Sequence, residues 1–331
     1  MMKKCLLFWL FLLLLLSGCR PAEPEAPPEE EPAALTLPRL AVEIPRGTQS
    51  PEILAQALRE LPQALTQALA VQGVTAEAVT VSVGSSPEAT AQALQEGGID
   101  LAFLPAEDFA ALENPPQLLL ASGPLSPDLE PDPALWNQPD TAAGTVPGTP
   151  VLLCAAPTDY GRALAEREDP LDWTDLAQAR WALPAGQESL ANLFLPADRS
   201  WEELPQAVFC ADEAGLFQSA AAGDADLLLL YPGSRAQWAA PDSASVPGWQ
   251  GLGRTASLYE ELPVLAVSGR LYQQTVSVRS GGGVLEDPRF ASALAAALPA
   301  LEGQEAIFGS HPYAPVEETA LDAQRQLFSR A

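Results

Sequence analysis

The segment AQALQEGGIDLAFLP, residues 91–105, sets the fold class of this chain. Its alanine- and leucine-rich start is typical of a helix, and Gly97 and Gly98 mark the end of that helix. After Asp100, an uninterrupted apolar stretch predicts a buried strand that ends at Pro105. A strand pattern also precedes the helix, so the segment predicts a βαβ unit with parallel strands.

The same order of features occurs again in the second half of the chain. The segment LFQSAAAGDADLLLLYP, residues 216–232, runs from a helix pattern through Gly223 and Asp226 to an apolar strand and a proline. Strand patterns at residues 79–83 and 207–210 precede the two copies. We therefore predict two lobes of related construction, although any α/β protein can reuse helix–glycine–strand units.

Two further apolar strand patterns bracket the second copy, at residues 151–156 and 262–267. We interpret them as crossover strands that form a hinge. Lobe 1 then comprises residues 37–153 plus 262–331, and lobe 2 comprises residues 154–261. The predicted fold class is α/β, with two lobes that each consist of a mainly parallel sheet flanked by helices.

Local signals place the other elements. Serine, proline and glutamate at residues 50–52 are typical of a helix start, because a serine hydroxyl caps the helix and proline suits its first turn. Pro62 predicts a break or kink in the helix that follows. Residues 122–150, rich in proline, aspartate and glycine, predict a surface excursion.

The first residues are typical of a processing signal. Lys3 and Lys4 precede an apolar run at residues 6–16, which fits a signal peptide and is too short to span a bilayer as a helix. Small residues before Cys19 resemble a lipobox, in which the cysteine is acylated and the chain is cut before it. We predict a signal peptide at residues 1–18; the alternative is an ordinary secretory signal with a chance cysteine.

Residues 19–36 are rich in proline and glutamate and offer no apolar face, so they predict an extended, lipidated tether. Two acyl chains give lasting anchorage. We therefore expect the folded part to be held at the extracytoplasmic face of the cell membrane through Cys19.

Composition limits the possible partners and reactions. The chain has 43 acidic residues against 17 lysines and arginines, a formal net charge of −26, which argues against nucleic-acid binding. Lysine occurs only at positions 3 and 4, and His311 is the single histidine. Lysine-dependent catalytic motifs are therefore excluded, and we expect no catalytic residue, metal or cofactor.

Two cysteines, Cys154 and Cys210, remain beyond the lipidation site. They can form a disulfide outside the cell or stay as two buried thiols, and their spacing does not decide between these alternatives.

Several segments along residues 38–328 occur in the order found in a known family; they lie at residues 91–105, 173–184, 187–197, 258–263 and 313–325. This ordered set resembles the substrate-binding proteins of ABC importers with the type II periplasmic-binding fold, especially the phosphonate/phosphite/phosphate-binding family. The resemblance implies capture of a small polar solute between the lobes and an ABC permease in the membrane as partner. It adds two-lobed type II architecture to the fold class predicted above.

The sequence departs from this family at the ligand loop. The family has Ser-Thr-Ser-Gly at a helix N-terminus, where hydroxyl and N–H groups hold a phosphonate. Residues 189–192 here read SLAN, and Asp212 and Glu213 stand where the family often has a histidine. More carboxylates and fewer hydroxyls bind a dianion poorly, so we predict weak or absent phosphonate affinity.

Ligands of open α/β sheets bind beyond the carboxyl ends of the strands, so the candidate ligand-binding residues lie in loops at those ends. The candidates in lobe 1 are Arg46, Thr48, Gln49, Ser50, Pro105 and Asp108. The candidates in lobe 2 and at the return crossover are Gln187, Ser189, Asn192, Glu213, Tyr259 and Glu260.

Each of the more specific candidates has a structural alternative. Arg46 is either an anion clamp or an exposed loop arginine. Ser189 and Glu213 are either ligand contacts or helix caps. Tyr259 either contacts a ligand or is a half-buried crossover residue.

Three classes of function remain. The first is a monomeric solute-binding lipoprotein of an ABC importer that closes about its hinge on the solute. The second is a ligand sensor or degenerate binding module on the same fold, without a transport role. The third is an enzyme, for which the sequence offers no assembled set of catalytic residues.

Overall fold

The computed structural model describes residues 34–46, 50–138, 143–240, 246–281, 283–301 and 305–328, the side chains of residues 305, 306 and 328 excepted. The predicted signal peptide, Cys19 and most of the predicted tether lie outside the described residues, as do the candidates Thr48 and Gln49. A strand, Leu35–Leu37, begins inside the segment that we assigned to the tether, because both of its leucines are buried.

The described residues contain strands, helices and short 3₁₀ turns. The strands are β1 (Leu35–Leu37), β2 (Leu40–Ile44), β3 (Val74–Ala76), β4 (Val79–Val83), β5 (Leu101–Pro105), β6 (Gln117–Ser122), β7 (Leu125–Pro127), β8 (Thr145–Pro147), β9 (Leu152–Ala155), β10 (Trp181–Pro184), β11 (Ala207–Cys210), β12 (Leu227–Leu230), β13 (Val264–Val267), β14 (Gln274–Val278) and β15 (Tyr313–Pro315). The α-helices are α1 (Pro51–Val71), α2 (Pro87–Gln95), α3 (Ala106–Ala111), α4 (Pro133–Trp136), α5 (Asp159–Ala165), α6 (Trp173–Gln178), α7 (Glu213–Ala222), α8 (Pro232–Ala239), α9 (Gly248–Gly251), α10 (Leu258–Glu261), α11 (Pro288–Ala297), α12 (Glu305–Phe308) and α13 (Asp322–Phe328). The 3₁₀ turns are Glu188–Leu193, Trp201–Glu203, Gly283–Glu286, Leu298–Ala300 and Glu318–Leu321.

Two large sheets have the same internal order. In the six-stranded sheet, β15-β6-β14-β5-β2-β4, strand β2 is parallel to β4 and β5, whereas β14 is antiparallel to β5 and β6. In the five-stranded sheet, β11-β10-β12-β9-β13, strand β10 is parallel to β11 and β12, whereas β9 is antiparallel to β12 and β13.

Among the parallel strands of each sheet, the one that comes first in the sequence lies between the other two. Strand β2 lies between β4 and β5, and strand β10 lies between β11 and β12. A strand that arrives through a crossover lies beyond the third and runs against it: β14 in lobe 1 and β9 in lobe 2. This duplicated order confirms the two-lobed type II periplasmic-binding fold.

The two crossover segments pair with each other. Thr149 and Leu271 exchange two backbone hydrogen bonds of 3.0 Å each. The N–H of Val151 donates to Oγ of Ser268 at 2.8 Å, and the N–H of Ser268 donates to the carbonyl of Val151 at 3.0 Å. Residues 149–151 and 268–271 thus form the junction, and the lobe limits that we placed at residues 153 and 262 stay predictions.

Helix α1 continues through Pro62 from Pro51 to Val71, so a break at Pro62 is wrong, whereas a kink there stays a prediction. Its buried residues Ala57, Leu61, Leu65 and Leu69 recur every four positions and pack on the sheet core of lobe 1. Pro62 removes one backbone hydrogen bond of the helix, which destabilises it. Burial of this apolar stripe stabilises the helix by more than that loss.

Both faces of the lobe 2 sheet are covered. Leu228 and Leu230 belong to one apolar cluster, and Leu227 and Leu229 belong to the cluster on the opposite face. The unbroken leucine run of β12 follows from this double burial, since a strand buried on both sides needs no polar alternation.

A buried aspartate joins the elements of each lobe. In lobe 2, Asp226 lies just before β12 and accepts hydrogen bonds from the backbone N–H of Arg180 at 3.0 Å and from its side-chain Nε and Nη2 at 2.9 and 2.7 Å. Oδ1 of Asp226 also accepts from Oγ1 of Thr158, which follows β9, at 2.6 Å. The arginine further donates to the carbonyl of Gly223 at 2.8 Å, and this glycine ends α7 with φ 77°.

Lobe 1 repeats this arrangement. Asp100, just before β5, accepts from the N–H of Ala41 at 2.8 Å and from Nε of Arg39 at 3.3 Å. Nε of Arg279, which follows β14, donates to Oδ1 of Asp100 at 2.6 Å. Arg39 also lies 3.5 Å from the carbonyl of Gly97, the counterpart of Gly223. The matched aspartate and glycine of the two sequence segments therefore perform the same structural task.

Burial on its own would raise the pKa of Asp226, but hydrogen bonds from Arg180 and Thr158 outweigh burial and lower it. We expect Asp226→Asn to lower the free energy of unfolding at pH 7 by about 1.5–3 kcal/mol, because it removes charge-assisted hydrogen bonds. Urea denaturation measures this loss. Asp224→Asn, two residues away on the surface, is the matched control, and equal losses in both variants would contradict this role of Asp226.

The cysteines are free in the structure, so the disulfide alternative is wrong. Cys154 lies in β9 and Cys210 in β11, with β12 and β10 between them, which separates the two by about 14 Å at a strand spacing of roughly 4.8 Å. A disulfide needs Cα atoms within about 7 Å. Burial also raises the pKa of the Cys154 thiol to about 11.

We expect alkylation of the denatured mature chain to modify Cys154 and Cys210 equally with and without a prior reducing step, as counted by mass spectrometry. Modification that requires the reductant would contradict the separation of these two strands.

Candidate functional site

The carboxyl ends of the parallel strands lie at the edge of each sheet that carries the crossovers. In lobe 2, Leu230 at the end of β12 pairs with Leu152, directly after the first crossover. In lobe 1, Pro105 at the end of β5 pairs with Gln274, directly after the second crossover. The loops that follow the parallel strands are therefore at the junction of the lobes, where such sheets bind ligands.

A cavity of about 230 Å³ lies beyond the ends of β10, β11 and β12. Its apolar lining consists of Val151, Pro184, Ala185, Leu190, Ala211, Leu216, Leu229 and Leu230. Its polar lining consists of Gln187, Cys210, Asp212, Glu213 and Tyr231. Because pockets for drug-sized ligands measure about 300–1,000 Å³, this cavity suits a smaller solute.

Two neighbouring carboxylates in the cavity have different roles. Oδ1 of Asp212 accepts a hydrogen bond from the N–H of Gly215 at 2.8 Å and caps α7. Glu213, the first residue of α7, is partly buried and has no hydrogen-bond or ion-pair partner among the described residues. Burial raises the pKa of its carboxyl. Asp212 is therefore the cap of α7, whereas Glu213 lines the cavity without capping the helix and stays a predicted ligand contact.

Tyr231 is a cavity residue that the sequence reasoning missed. Its hydroxyl donates to Oε1 of the predicted Gln187 at 3.4 Å, and burial raises its pKa. The available signal was its position directly after a strand in the repeated segment, where lobe 1 has Pro105.

The lobe 1 edge is also acidic. Asp108 lies in the first turn of α3 and is half-buried; burial together with the charges of Glu107 and Glu88 raises the pKa of its carboxyl. Pro105 is half-exposed at the start of the same helix. Arg46 is exposed, and it takes part in no ion pair among the described residues.

Three candidates have structural roles. Oγ of Ser50 caps α1 by accepting from the N–H of Ile53 at 3.4 Å. Glu260 and Ser257 form a reciprocal capping box at the start of α10. Asn192 is buried, and its Oδ1 accepts from the N–H of Trp201 at 2.8 Å.

Ser189 is exposed inside the 3₁₀ turn Glu188–Leu193, whose cap position is Gln187, so the cap alternative for Ser189 is wrong. It is not among the residues that line the cavity.

Tyr259 lies away from this cavity, at a smaller one of about 110 Å³. The guanidinium of Arg235 stands 4.5 Å from the ring centre of Tyr259. Arg235 is buried and donates to the carbonyls of Trp136 and Leu262 and, at 3.2 Å, to Oδ1 of Asn137. This arginine fastens the excursion to the return crossover, which explains the half-buried position of Tyr259.

The C-terminal helix α13 connects the edges of both lobes. It packs against α3 of lobe 1 and against the turn Glu188–Leu193 of lobe 2. Nε2 of Gln326 donates to the carbonyl of Asn192 at 2.9 Å. The side chain of Gln324 exchanges hydrogen bonds of 2.9 and 3.1 Å with the backbone of Tyr272, next to the junction.

Within the described ranges, no group of three or more histidine, cysteine or acidic residues is arranged to hold a metal ion. Over the same part of the chain, no helix is long and apolar enough to cross a membrane.

Neither a family model nor a curated protein matches the sequence. The solved structures that match include a Xanthomonas citri protein bound to a chloride ion, at 12% identity, a TM-score of 0.34, and coverage of 89% of this chain and 96% of that one. The binding-protein component of an ABC phosphonate transporter from Pseudomonas aeruginosa matches at 12% identity and a TM-score of 0.35, over 88% of this chain and 86% of that one.

A histidine kinase sensor domain with similarity to periplasmic binding proteins matches at 16% identity and a TM-score of 0.26, over 81% of this chain and 92% of that one. The chain thus resembles phosphonate-transporter binding proteins among other proteins of this architecture. Its fold assignment rests on its own strand order and paired crossovers.

We expect Glu213→Gln to raise the melting temperature of the ligand-free protein at pH 7. The raised pKa means that the folded state binds the proton more tightly than the unfolded state, so stability falls as pH rises from about 4.3 through the folded-state pKa. Glutamine is uncharged and removes the unfavourable burial of the ionised carboxylate. The gain in melting temperature should therefore shrink as the pH is lowered toward about 4.3, where Glu213 itself becomes protonated. Glu168→Gln, an exposed site in lobe 2, is the control for the change in net charge.

Differential scanning calorimetry across this pH range measures the effect. A lower melting temperature for Glu213→Gln than for Glu168→Gln at pH 7 would show that Glu213 stabilises the fold and is not held there at a cost.

Proposed function

We propose that this protein is an extracytoplasmic solute-binding lipoprotein that captures a small solute between its lobes and presents it to an ABC permease. The observation that carries the proposal is the cavity at the carboxyl ends of the lobe 2 strands, beside the junction of the lobes. In this proposal Cys19 carries the lipid, the protein acts as a monomer, and it catalyses no reaction.

The cavity and the junction share a residue, which supports coupling between binding and hinge motion. Val151 lines the cavity and bonds through its backbone N–H and carbonyl to Ser268 of the second crossover. A solute that contacts this wall therefore touches the segment about which the lobes rotate. Extra contacts made only in the closed form favour that form.

The acidic lobe 1 edge completes the site in this proposal. Pro105 ends β5 and Asp108 follows it, at the same edge as the second crossover, so hinge closure brings them toward the lobe 2 cavity. Arg46, Thr48 and Gln49, which follow β2, are proposed as the remaining lobe 1 contacts.

A bound solute is expected to reduce the radius of gyration measured by small-angle X-ray scattering and to raise the melting temperature. Ala185→Trp should abolish both effects, because Ala185 is exposed at the cavity and an indole would fill it. Ala222→Trp, at the exposed far end of α7, is the matched control. Solute binding that survives Ala185→Trp would place the site elsewhere.

Transport requires a second measurement. Cells that lack the protein should take up the bound solute more slowly, and re-expression should restore uptake. An unchanged rate, with binding intact in the purified protein, would contradict the transport role and favour the sensor alternative.

A further inference from the structure

The charge around the lobe 2 cavity has a single sign. Among the described residues that line it, Asp212 and Glu213 are acidic and none is lysine, arginine or histidine. Glu188, in the adjoining turn, is a further acidic residue that lies outside the cavity lining. An anion in this cavity would be desolvated next to like charges, which is strongly unfavourable.

The neighbouring groups leave Glu213 available for a partner. Asp212 is engaged by the N–H of Gly215, and Tyr231 donates to Gln187, whereas Glu213 has no partner among the described residues. A partly buried carboxylate without a partner is costly, and a cation from the solute removes that cost.

We propose that the cavity binds a small organic cation, in which an ammonium group pairs with the Glu213 carboxylate and a short hydrocarbon body contacts the apolar wall. This proposal rests on the proposed solute-binding function and names its substrate class.

The remaining lining fits such a solute. Leu190, Leu216 and Leu229 supply apolar surface for a hydrocarbon body. Tyr231 supplies an aromatic ring, whose face attracts a cation. The volume of about 230 Å³ excludes long chains. Leu190, in the turn Glu188–Leu193, contributes to this apolar wall.

Isothermal titration calorimetry of the purified mature protein at pH 7 tests the proposal with probes of matched shape. Isobutylamine, isobutanol and isobutyrate differ mainly in charge, and choline, putrescine, methylphosphonate and phosphate extend the series. We expect at least one of the three amine or ammonium probes to bind, with isobutyrate, methylphosphonate and phosphate not binding.

Variants then locate the site. Glu213→Gln is expected to raise the Kd of the bound cation by about 10–100-fold, because it removes a charge-assisted contact. Glu168→Gln makes the same change in net charge on an exposed site of lobe 2 and should leave the Kd unchanged. Equal weakening in both variants would overturn the role assigned to Glu213.

The outcomes separate the two proposals. Binding of the anions without the cations would overturn the cation proposal and leave solute binding intact. Binding of isobutanol as tightly as isobutylamine would show that charge is not recognised and would also overturn it. If none of the seven probes produced heat or a melting-temperature shift, the cation proposal would be overturned, whereas the proposed function is decided separately by the scattering and uptake measurements described above.

Discussion

In each lobe a buried aspartate, Asp100 or Asp226, accepts hydrogen bonds from the start of the first strand, from an arginine and from the end of the crossover strand. Burying a carboxylate is unfavourable unless it is paired and fully hydrogen-bonded, and here the arginine and the backbone N–H provide that pairing. The aspartate therefore fixes which strands become neighbours at the amino end of the third strand.

The stabilising aspartates and the cavity lie at opposite ends of the strands. The aspartates lie at the edge at which β5 and β12 begin, and the cavity lies at the opposite edge, beyond the carboxyl end of β12. Because the amino-terminal edge is fixed, the opposite edge can contain a cavity and a glutamate that has no partner among the described residues. Glu213 is an example. Partial burial of its ionised carboxylate lowers the free energy of unfolding, and the packing of the rest of lobe 2 offsets that loss.

The junction has more connections than two crossover strands alone would provide. Residues 149–151 and 268–271 pair with each other, Gln324 bonds to the backbone of Tyr272, and α13 touches both lobe edges. Opening of the lobes must therefore either move α13 with one lobe or break its contact through Gln326 and Asn192. In the proposed hinge closure, the contacts of α13 with both lobe edges would limit how far the lobes separate.

The sequence by itself determined the fold class, because hydrophobic periodicity, helix caps and the repeated glycine–aspartate–strand segment are local signals that do not depend on distant residues. It also identified Gln187 and Glu213, which line the cavity, since loops at the carboxyl ends of strands can be located from strand positions alone. Ser50 and Glu260 were selected on the same ground, yet their side chains bond to nearby backbone as helix caps.

Only the tertiary structure decided the features that depend on strand order and on distant pairs. The order β11-β10-β12-β9 separates Cys154 from Cys210, and no spacing in sequence carries that information. The packing of Arg235 on Tyr259, the bond from Gln326 to Asn192 and the place of Tyr231 in the cavity wall likewise join elements far apart in the chain. Such contacts arise when sheets twist and helices dock, because the side chains involved have no periodic or local signature until their elements are packed together.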